Sequence, residues 1–449
     1  MRPAFFVPVL LCAASLTVCA APASNPPTPS PAVRAAVESV SKARLEATVR
    51  RLAAFPTRHT LSGAGGVDAA AAWLEAQFAA IATASGGRLR VEKQTWTEPA
   101  GTRLPAPALL SNVVATLPGT ASPERVIVVS GHYDSRATDV MDAKSLAPGA
   151  NDDASGVAVV LEMARIMAAQ SKPCAATIVF AAVTGEEQGL YGSTHLAQSL
   201  RADSKTVVAM FTNDIVGNSR GESGKRDARH VRVFSAGYDP GMPAATLSRA
   251  RAAGTDAESP ARVLARATKD AARRYVRGFG VELVYRNDRY GRGGDHSPFL
   301  QNGYPSAVRL TEPNEDWRHQ HQNVRRERGV SFGDLPEFVD YDYLRRVAQV
   351  NIAVVAELAS APNAPQNVRL VGDLSPRTTL LWNPSAEPVA GYEVLLRRTT
   401  DSDWHKPIPV GRGENRAVLP FSKDDYLFAV RTVGADGARG LPVVPVATR

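Results

Sequence analysis

Residues 126–134 have the sequence Val126-Ile127-Val128-Val129-Ser130-Gly131-His132-Tyr133-Asp134. The run of β-branched residues at its start is typical of a strand that is buried on both faces of a sheet. A histidine and a carboxylate, His132 and Asp134, follow that strand directly. Because ligands of open α/β sheets bind beyond the carboxyl ends of the strands, these two residues are candidates for a functional site.

Strand and helix patterns alternate on both sides of this stretch. Helical periodicity is found at 33–54, 67–84, 156–169, 189–200, 262–276 and 343–358. Strand patterns are found at 88–95, 112–117, 126–130, 176–183, 207–211, 230–234, 281–285 and 306–310. This alternation predicts an α/β protein, a three-layer sandwich around a mostly parallel central mixed sheet.

The pattern changes after Leu358. A Pro-Ala linker at 360–365 leads into a segment with alternating apolar residues and no helical period. This predicts a small all-β C-terminal sandwich at 364–449. Trp382 on an early strand and Tyr426-x-Phe428-x-Val430 on a late one resemble a fibronectin type III domain. We expect this domain to be a spacer or a binding module for a protein or surface partner.

The N-terminus predicts export from the cytoplasm. Residues 1–21 combine Arg2, an apolar run and a small-residue cleavage site, as in a secretory signal peptide. A flexible leader is predicted at 22–32, and the mature chain is expected to be secreted or periplasmic, with lipid attachment at Cys19 as the alternative. Only Cys174 lies beyond the signal, so no internal disulfide is expected. No later apolar run is long enough to predict a membrane span.

The charge balance argues against nucleic acid as the main partner. The chain has 52 Lys and Arg residues against 44 Asp and Glu residues, which gives a net charge of +8. Most of the excess positive charge comes from arginines scattered among alanines. The chain has no block of consecutive basic residues of the kind that binds along the phosphate backbone of a nucleic acid. We therefore expect no nucleic-acid partner.

Acidic residues follow further predicted strands. Glu186 and Glu187 come after the strand at 176–183, Asp214 comes after 207–211, and Asp152 and Asp153 open the helix at 156–169. Carboxylates brought so close together would repel one another, and bound cations would compensate their charge. Imidazole and carboxylate ligands without thiolate suit zinc or a similar divalent ion, and their number favours two ions. A fifth ligand is expected from His319-Gln320-His321.

Four motifs in this order resemble the secreted di-zinc aminopeptidase family, which is related to glutamate carboxypeptidase and glutaminyl cyclase. The motifs are His132-x-Asp134, Gly-Ala-Asn-Asp-Asp-Ala-Ser-Gly at 149–156, Gly185-Glu186-Glu187, and Asp214. The resemblance covers residues 52–358 and defines a predicted di-zinc peptidase domain at 33–359. It implies an enzyme that removes N-terminal residues from peptides with a free N-terminus.

The resemblance also implies roles for individual residues. Asp152 would bridge two zinc ions, with His132 and Asp214 completing one site and Glu187 and His321 the other. Glu186 would be the general base and then the general acid of hydrolysis, acting on a water between the metals. Asp134 would orient the imidazole of His132, and Asp295 would support the site without being a ligand. His321 is preferred to His319, because in family segments of the His-x-His type the second histidine corresponds to the ligand.

Several alternatives remain open at this point. The Glu186-Glu187 pair could simply compensate a helix dipole, and the Asp152-Asp153 pair could simply cap a helix. Within the family, a carboxypeptidase or dipeptidase, a glutaminyl cyclase with a single zinc, or a non-enzymatic binding protein would share much of the pattern. Tyr290 and Arg292 either line the substrate cleft or belong to a solvated loop.

Overall fold

The computed structural model describes residues 28–239 and 241–448. The predicted signal peptide lies outside the described residues, as does most of the predicted leader at 22–32. The first helix begins at Pro31, inside that leader, because Ser30 caps it by accepting a hydrogen bond from the Val33 amide. Ser30 is itself buried and donates its backbone N–H to the hydroxyl of Tyr275 at 3.0 Å.

An eight-stranded mixed sheet forms the centre of the molecule. Its strands are β1 Arg90–Glu98, β2 Ala108–Leu117, β3 Ser122–His132, β4 Ala176–Val183, β5 Thr206–Asn213, β6 His230–Ser235, β7 Gly280–Val284 and β8 Ala307–Thr311. Their order across the sheet is β1-β2-β4-β3-β5-β8-β6-β7. The four central strands, β4, β3, β5 and β8, are parallel, whereas β1, β2 and β6 make antiparallel pairs.

Helices cover both faces of this sheet. They are α1 Pro31–Glu38, α2 Lys42–Ala53, α3 Val67–Ala84, α4 Ala154–Ala168, α5 Glu186–Gly189, α6 Tyr191–Ala202, α7 Ala244–Ala252, α8 Pro260–Tyr275, α9 His296–Gln301 and α10 Tyr341–Ser360. Ile127 and Val129 pack with α4 and α10 on one face, and Val126 and Val128 pack with α6 and α9 on the other. The predicted α/β three-layer architecture is therefore confirmed. Within the described part of the chain, no helix is both long and apolar enough to span a bilayer.

The predicted helix at 33–54 is wrong as a single element, since it is divided into α1 and α2. The Ser41 side chain accepts a hydrogen bond from the Arg44 amide and so begins a new helix. The Ser41 amide donates to Glu162 at 2.8 Å, which holds the break against α4. The short helices α7 and α9 were not predicted, because neither is long enough to show a helical period.

Two glycines allow α4 to approach the sheet closely at its N-terminus. A Cβ atom on Gly156 would lie 2.1 Å from the backbone oxygen of Asn213, and one on Gly131 would lie 2.6 Å from the backbone of Gly156. The ends of β3 and β5 and the start of α4 therefore meet without intervening side chains. This contact sets the position of the loops that carry His132, Asp152 and Asp214.

Residues after α10 form two small sheets. The strands are β11 Gln366–Val371, β12 Thr378–Asn383, β13 Gly391–Arg398, β14 Ile408–Gly411, β15 Arg416–Leu419, β16 Tyr426–Val433 and β17 Val446–Thr448. They are arranged as β15-β12-β11-β17 and β14-β13-β16. The two strands not yet named, β9 Arg325–Glu327 and β10 Val330–Phe332, form a separate hairpin that comes before α10 in the chain. Trp382 packs on Tyr392 between the two small sheets, with ring centroids 5.4 Å apart. The fibronectin type III likeness stays a prediction.

Buried ion pairs join these sheets to the part of the chain that contains the eight-stranded sheet. Glu258 accepts two hydrogen bonds from Arg266 of α8 and a third from Arg397 of β13. All three side chains are buried. Arg431 of β16 likewise pairs with Asp270 of α8. Because buried charges are costly unless they are paired, these contacts couple the two parts of the molecule.

Candidate metal centre

The ends of three adjacent strands bring the predicted acidic and histidine residues to one edge of the sheet. His132 ends β3, the Glu186-Glu187 pair starts α5 just after β4, and Asp214 directly follows β5. Since β4, β3 and β5 are parallel neighbours, their carboxyl ends lie side by side. Asp152 enters this edge from the loop before α4.

Asp152 lies between the two histidines. Its Oδ1 is 3.1 Å from Nε2 of His132, and its Oδ2 is 2.9 Å from Nε2 of His321. Nε2 of His321 is also 3.0 Å from Oε1 of Glu187, and Nε2 of His132 is 3.9 Å from Oδ1 of Asp214. The five predicted ligand residues are thus brought together, with Asp152 at their centre.

Two groups of side chains offer atoms close enough to share a metal ion. His132, Glu186 and Asp214 form one group, and Asp152, Glu187 and His321 form the other, with ligand atoms within 4.8 Å of one another. Glu186, predicted as a general base, is therefore also within reach of an ion bound by His132 and Asp214.

The chemistry of these groups fits divalent cations. Among the described residues, buried Nε2 of His132 and Oε1 of Glu187 have no hydrogen-bond partner, although other polar atoms surround them. Unpaired buried polar atoms are costly, and a cation bound in each group would satisfy the unpaired atom that the group contains. Burial opposes protonation of His321, yet Glu187 and Asp152 raise its pKa to about 10. The cluster thus carries an excess of negative charge that metal ions would neutralise.

Asp134 is fully buried beneath the cluster. Its carboxylate accepts hydrogen bonds from the backbone amides of Glu186 at 3.3 Å and Glu187 at 3.1 Å. Oδ1 of Asp134 is also 3.5 Å from Nδ1 of His132. Asp134 therefore contacts both the imidazole and the turn that carries the two glutamates.

Glu186 is half-buried and lines an open cleft of about 450 Å³ above the cluster. Loss of hydration in this position, together with the nearby Asp214 and Glu187 carboxylates, raises the pKa of Glu186 well above its ordinary value. A carboxyl group in such surroundings holds a proton more readily than an ordinary one, which suits it to general acid–base catalysis.

Asp153, His319 and Asp295 lie near the cluster but outside both groups. Asp153 caps α4, accepting hydrogen bonds from the Gly156 and His132 amides. His319 stacks on Phe338, with ring centroids 3.7 Å apart. Asp295 is fully buried, which raises its pKa to about 7. Of the two candidate histidines, His321 is the one that contacts Asp152 and Glu187.

Residues that we did not predict hold Asp152 in place. The carboxylate of Asp334 accepts the backbone N–H of Asp152 at 2.7 Å and that of Asn151 at 2.9 Å. Burial raises the pKa of Asp334 to about 7. Gln320 donates from Nε2 to Oδ2 of Asp152 at 3.1 Å, and buried Arg58 donates to the backbone oxygen of Gly149 at 2.9 Å. The local sequence around Asp334 and Arg58 contains no motif that indicates these contacts.

Arg309 was also missed, although its sequence context contained a clue. It is fully buried in β8, with Nη2 3.0 Å from Oδ1 of Asp214 and Nη1 3.1 Å from Oδ2 of Asp288. Charged residues are almost never fully buried without a partner. An arginine inside the predicted buried strand at 306–310 therefore indicated an ionic contact, but not which carboxylate it would meet.

Two residues at the site have left-handed backbone conformations. His321 has a φ of 54° and Ile215, which follows Asp214, has a φ of 57°. This conformation is uncommon for residues other than glycine and is an outlier for a β-branched one. Such conformations cost roughly 1–3 kcal/mol each and are frequent at functional sites.

Comparisons with known proteins identify the family of this chain. Residues 112–327 match the family described as Peptidase family M28. A probable zinc metalloprotease of Leptosphaeria maculans is 47% identical over 93% of this chain and 98% of its own length. One of Pyricularia oryzae is 46% identical, over 93% of this chain and 85% of its own length. The crystal structure of the LapA aminopeptidase of Legionella pneumophila shares the fold, with a TM-score of 0.51 and 21% identity over 74% of each chain.

The similarity to the two fungal proteins extends over nearly the whole chain, and the matched family segment contains all the residues of the cluster. The resemblance stated from the motifs is thereby confirmed, and the chain belongs to peptidase family M28.

Proposed function

We propose that this protein is a zinc-dependent aminopeptidase that removes residues from peptides with a free N-terminus. Asp152 would bridge two zinc ions, with His132 and Asp214 on one side and Glu187 and His321 on the other. The observation that carries this proposal is the position of Asp152, whose two carboxylate oxygens face the two histidines at 3.1 and 2.9 Å. The names of the two fungal relatives support zinc as the metal.

Zinc ions bound here would polarise the scissile carbonyl and lower the pKa of water. Glu186 lies at the cleft surface and its pKa is raised, so it is suited to accept the proton of the attacking water. It would then deliver that proton to the departing amine. Asp134 would hold the Glu186 turn through its contact with the backbone amide, which keeps this carboxyl group directed into the cleft.

Metal content and hydrolysis test the proposal together. Zinc-loaded protein is expected to contain about two zinc ions per chain and to hydrolyse free-amine aminoacyl p-nitroanilides, with a panel that includes leucine and glutamate. Removing the metal with a chelator should abolish hydrolysis, and adding zinc back should restore it. The measurements are elemental analysis and release of p-nitroaniline.

N-acetylated versions of the same anilides are the control. An aminopeptidase should leave them intact, so their hydrolysis at a similar rate would contradict the requirement for a free N-terminus. About one zinc per chain, with cyclisation of N-terminal glutamine in place of hydrolysis, would instead identify a glutaminyl cyclase.

A second prediction concerns Asp334, which we propose positions Asp152 for metal binding. Asp334→Ala removes the acceptor of the Asp152 and Asn151 amides and frees the loop before α4. Loss of residues that orient metal ligands typically weakens metal binding by about 10- to 100-fold. Zinc affinity measured by competition with a chromogenic chelator should fall by this amount.

Asp142→Ala is the matched control for this change. Asp142 also accepts two backbone N–H groups within a loop, those of Lys144 and Ser145 at 2.9 Å, but it belongs to neither group of candidate ligands. Its zinc affinity should equal that of the unmodified protein. Equal affinities for both variants would show that Asp334 does not position a metal ligand.

A further inference from the structure

The cleft above the metal cluster has an unusual distribution of charge. Its acidic lining residues are all members of the two candidate metal groups, and their charge would be compensated by bound cations. Its remaining charged lining residues, apart from His321, are four arginines, Arg103, Arg136, Arg289 and Arg292. Once metal is bound, the cleft is therefore strongly positive.

Three of these arginines form no ion pair with a carboxylate in the described part of the chain. Arg103 donates from Nη1 to the backbone oxygen of Glu187 at 2.9 Å. Arg136 donates to the backbone oxygens of Ala137 and Thr138. The guanidinium of Arg292 lies over the ring of Trp317, 5.3 Å from its centroid. By contrast, Arg289 pairs with Asp288 and Glu315.

These contacts hold the three guanidinium groups in place without neutralising them. Hydrogen bonds to backbone oxygens and stacking on an aromatic ring orient an arginine, and both leave its full positive charge. Several like charges around a small cleft repel one another unless an anion joins them. A guanidinium group pairs with a carboxylate through two parallel hydrogen bonds, which makes arginine well suited to binding this anion.

We propose that the cleft selects peptides that carry a carboxylate next to the bond to be cleaved, bound by Arg103, Arg136 and Arg292. The inference rests on the proposed peptidase activity and specifies its substrate class. Two sources of the carboxylate share this chemistry, namely the side chain of an N-terminal acidic residue and the free C-terminus of a short peptide.

Paired substrates that differ only in the carboxylate test the proposal on the zinc-loaded enzyme. Glutamyl and glutaminyl p-nitroanilide test a side-chain carboxylate, whereas Leu-Ala and Leu-Ala-amide test a C-terminal one. In at least one pair, kcat/KM for the carboxylate member should be roughly tenfold higher or more, since charge-assisted hydrogen bonds are about twice as strong as neutral ones. The pair that shows the preference identifies the source.

The variants Arg136→Gln and Arg292→Gln should each reduce this preference by raising KM for the carboxylate member, with little change for the amide member. Arg286→Gln is the matched control. Arg286 lies on the same loop as Arg292 and is exposed, stacks on Tyr290, and does not line the cleft. It should keep the full preference.

Equal kcat/KM within both pairs, or a preference that survives in both cleft variants, would overturn this inference while leaving the peptidase activity intact. Hydrolysis of none of the four substrates would instead overturn the proposed function on which the inference rests. The salt dependence is a further readout, because added salt should weaken binding of the carboxylate member more than that of the amide member.

Discussion

Glu186→Gln is expected to lower kcat by about 10²- to 10⁴-fold while the zinc content stays unchanged. Glutamine keeps the size of the side chain but cannot accept the proton of the attacking water. The predicted loss falls on kcat, because in the proposed mechanism Glu186 acts on the reacting atoms, while the arginines of the cleft remain in place. Steady-state kinetics on the best aminoacyl anilide, combined with elemental analysis, measure both quantities.

Glu187→Gln is the matched comparison, since the two glutamates are adjacent on α5. Glu187 faces His321 at 3.0 Å and is proposed as a metal ligand, so its variant should lose zinc affinity as well as activity. Glu186 also lies within 4.8 Å of His132 and Asp214, and a zinc content that falls in Glu186→Gln would show it to be a ligand. Near-normal turnover in Glu186→Gln would exclude it as the base.

Glu258→Gln is expected to lower the free energy of unfolding by about 3–5 kcal/mol. The change leaves the buried guanidinium groups of Arg266 and Arg397 without their shared carboxylate. These arginines lie on α8 and β13, on opposite sides of the boundary between the two parts of the chain. Urea unfolding followed by circular dichroism measures the change.

Glu46→Gln is the control for loss of an ordinary ion pair. Glu46 and Arg50 form a partly exposed pair within α2, and such pairs contribute only about 0–1 kcal/mol. If Glu258→Gln destabilised the protein no more than Glu46→Gln does, the buried pair would not couple the C-terminal sheets to the rest of the molecule. This prediction needs no assumption about metal or substrate.

The central part of the fold could be predicted because the buried strands are continuous apolar runs. Val126 to Val129 form the middle of β3, and the polar residues after this strand mark its end. The parallel arrangement of β4, β3 and β5 then brings Glu187, His132 and Asp214 together, as their positions after three strands indicated. A strand end is visible in sequence because the run of apolar residues stops there, although the polar residues that follow, such as Asp134 and Asp214, are themselves buried.

The contacts that hold the cluster could not be predicted in the same way. Asp334 and Arg58 come from loops far from Asp152 in sequence. Each contacts backbone groups, which every residue carries, so the residue types do not indicate these contacts. The break between α1 and α2 depends on a single serine and on a distant glutamate. Tyr290 and Arg292 were equally plausible cleft residues, but only Arg292 lines the cleft, whereas Tyr290 is 88% exposed.

The position of His321 late in the chain has a consequence for the synthesis of the protein. Asp152 and Glu187 meet this histidine only when β8 and the loop after it have joined the sheet. If His321 is a metal ligand as proposed, the ribosome must therefore make most of the chain before both metal groups can be complete, because domains fold as units during synthesis. On the same proposal, a copy that ends before residue 321 would lack one ligand of the group formed by Asp152, Glu187 and His321.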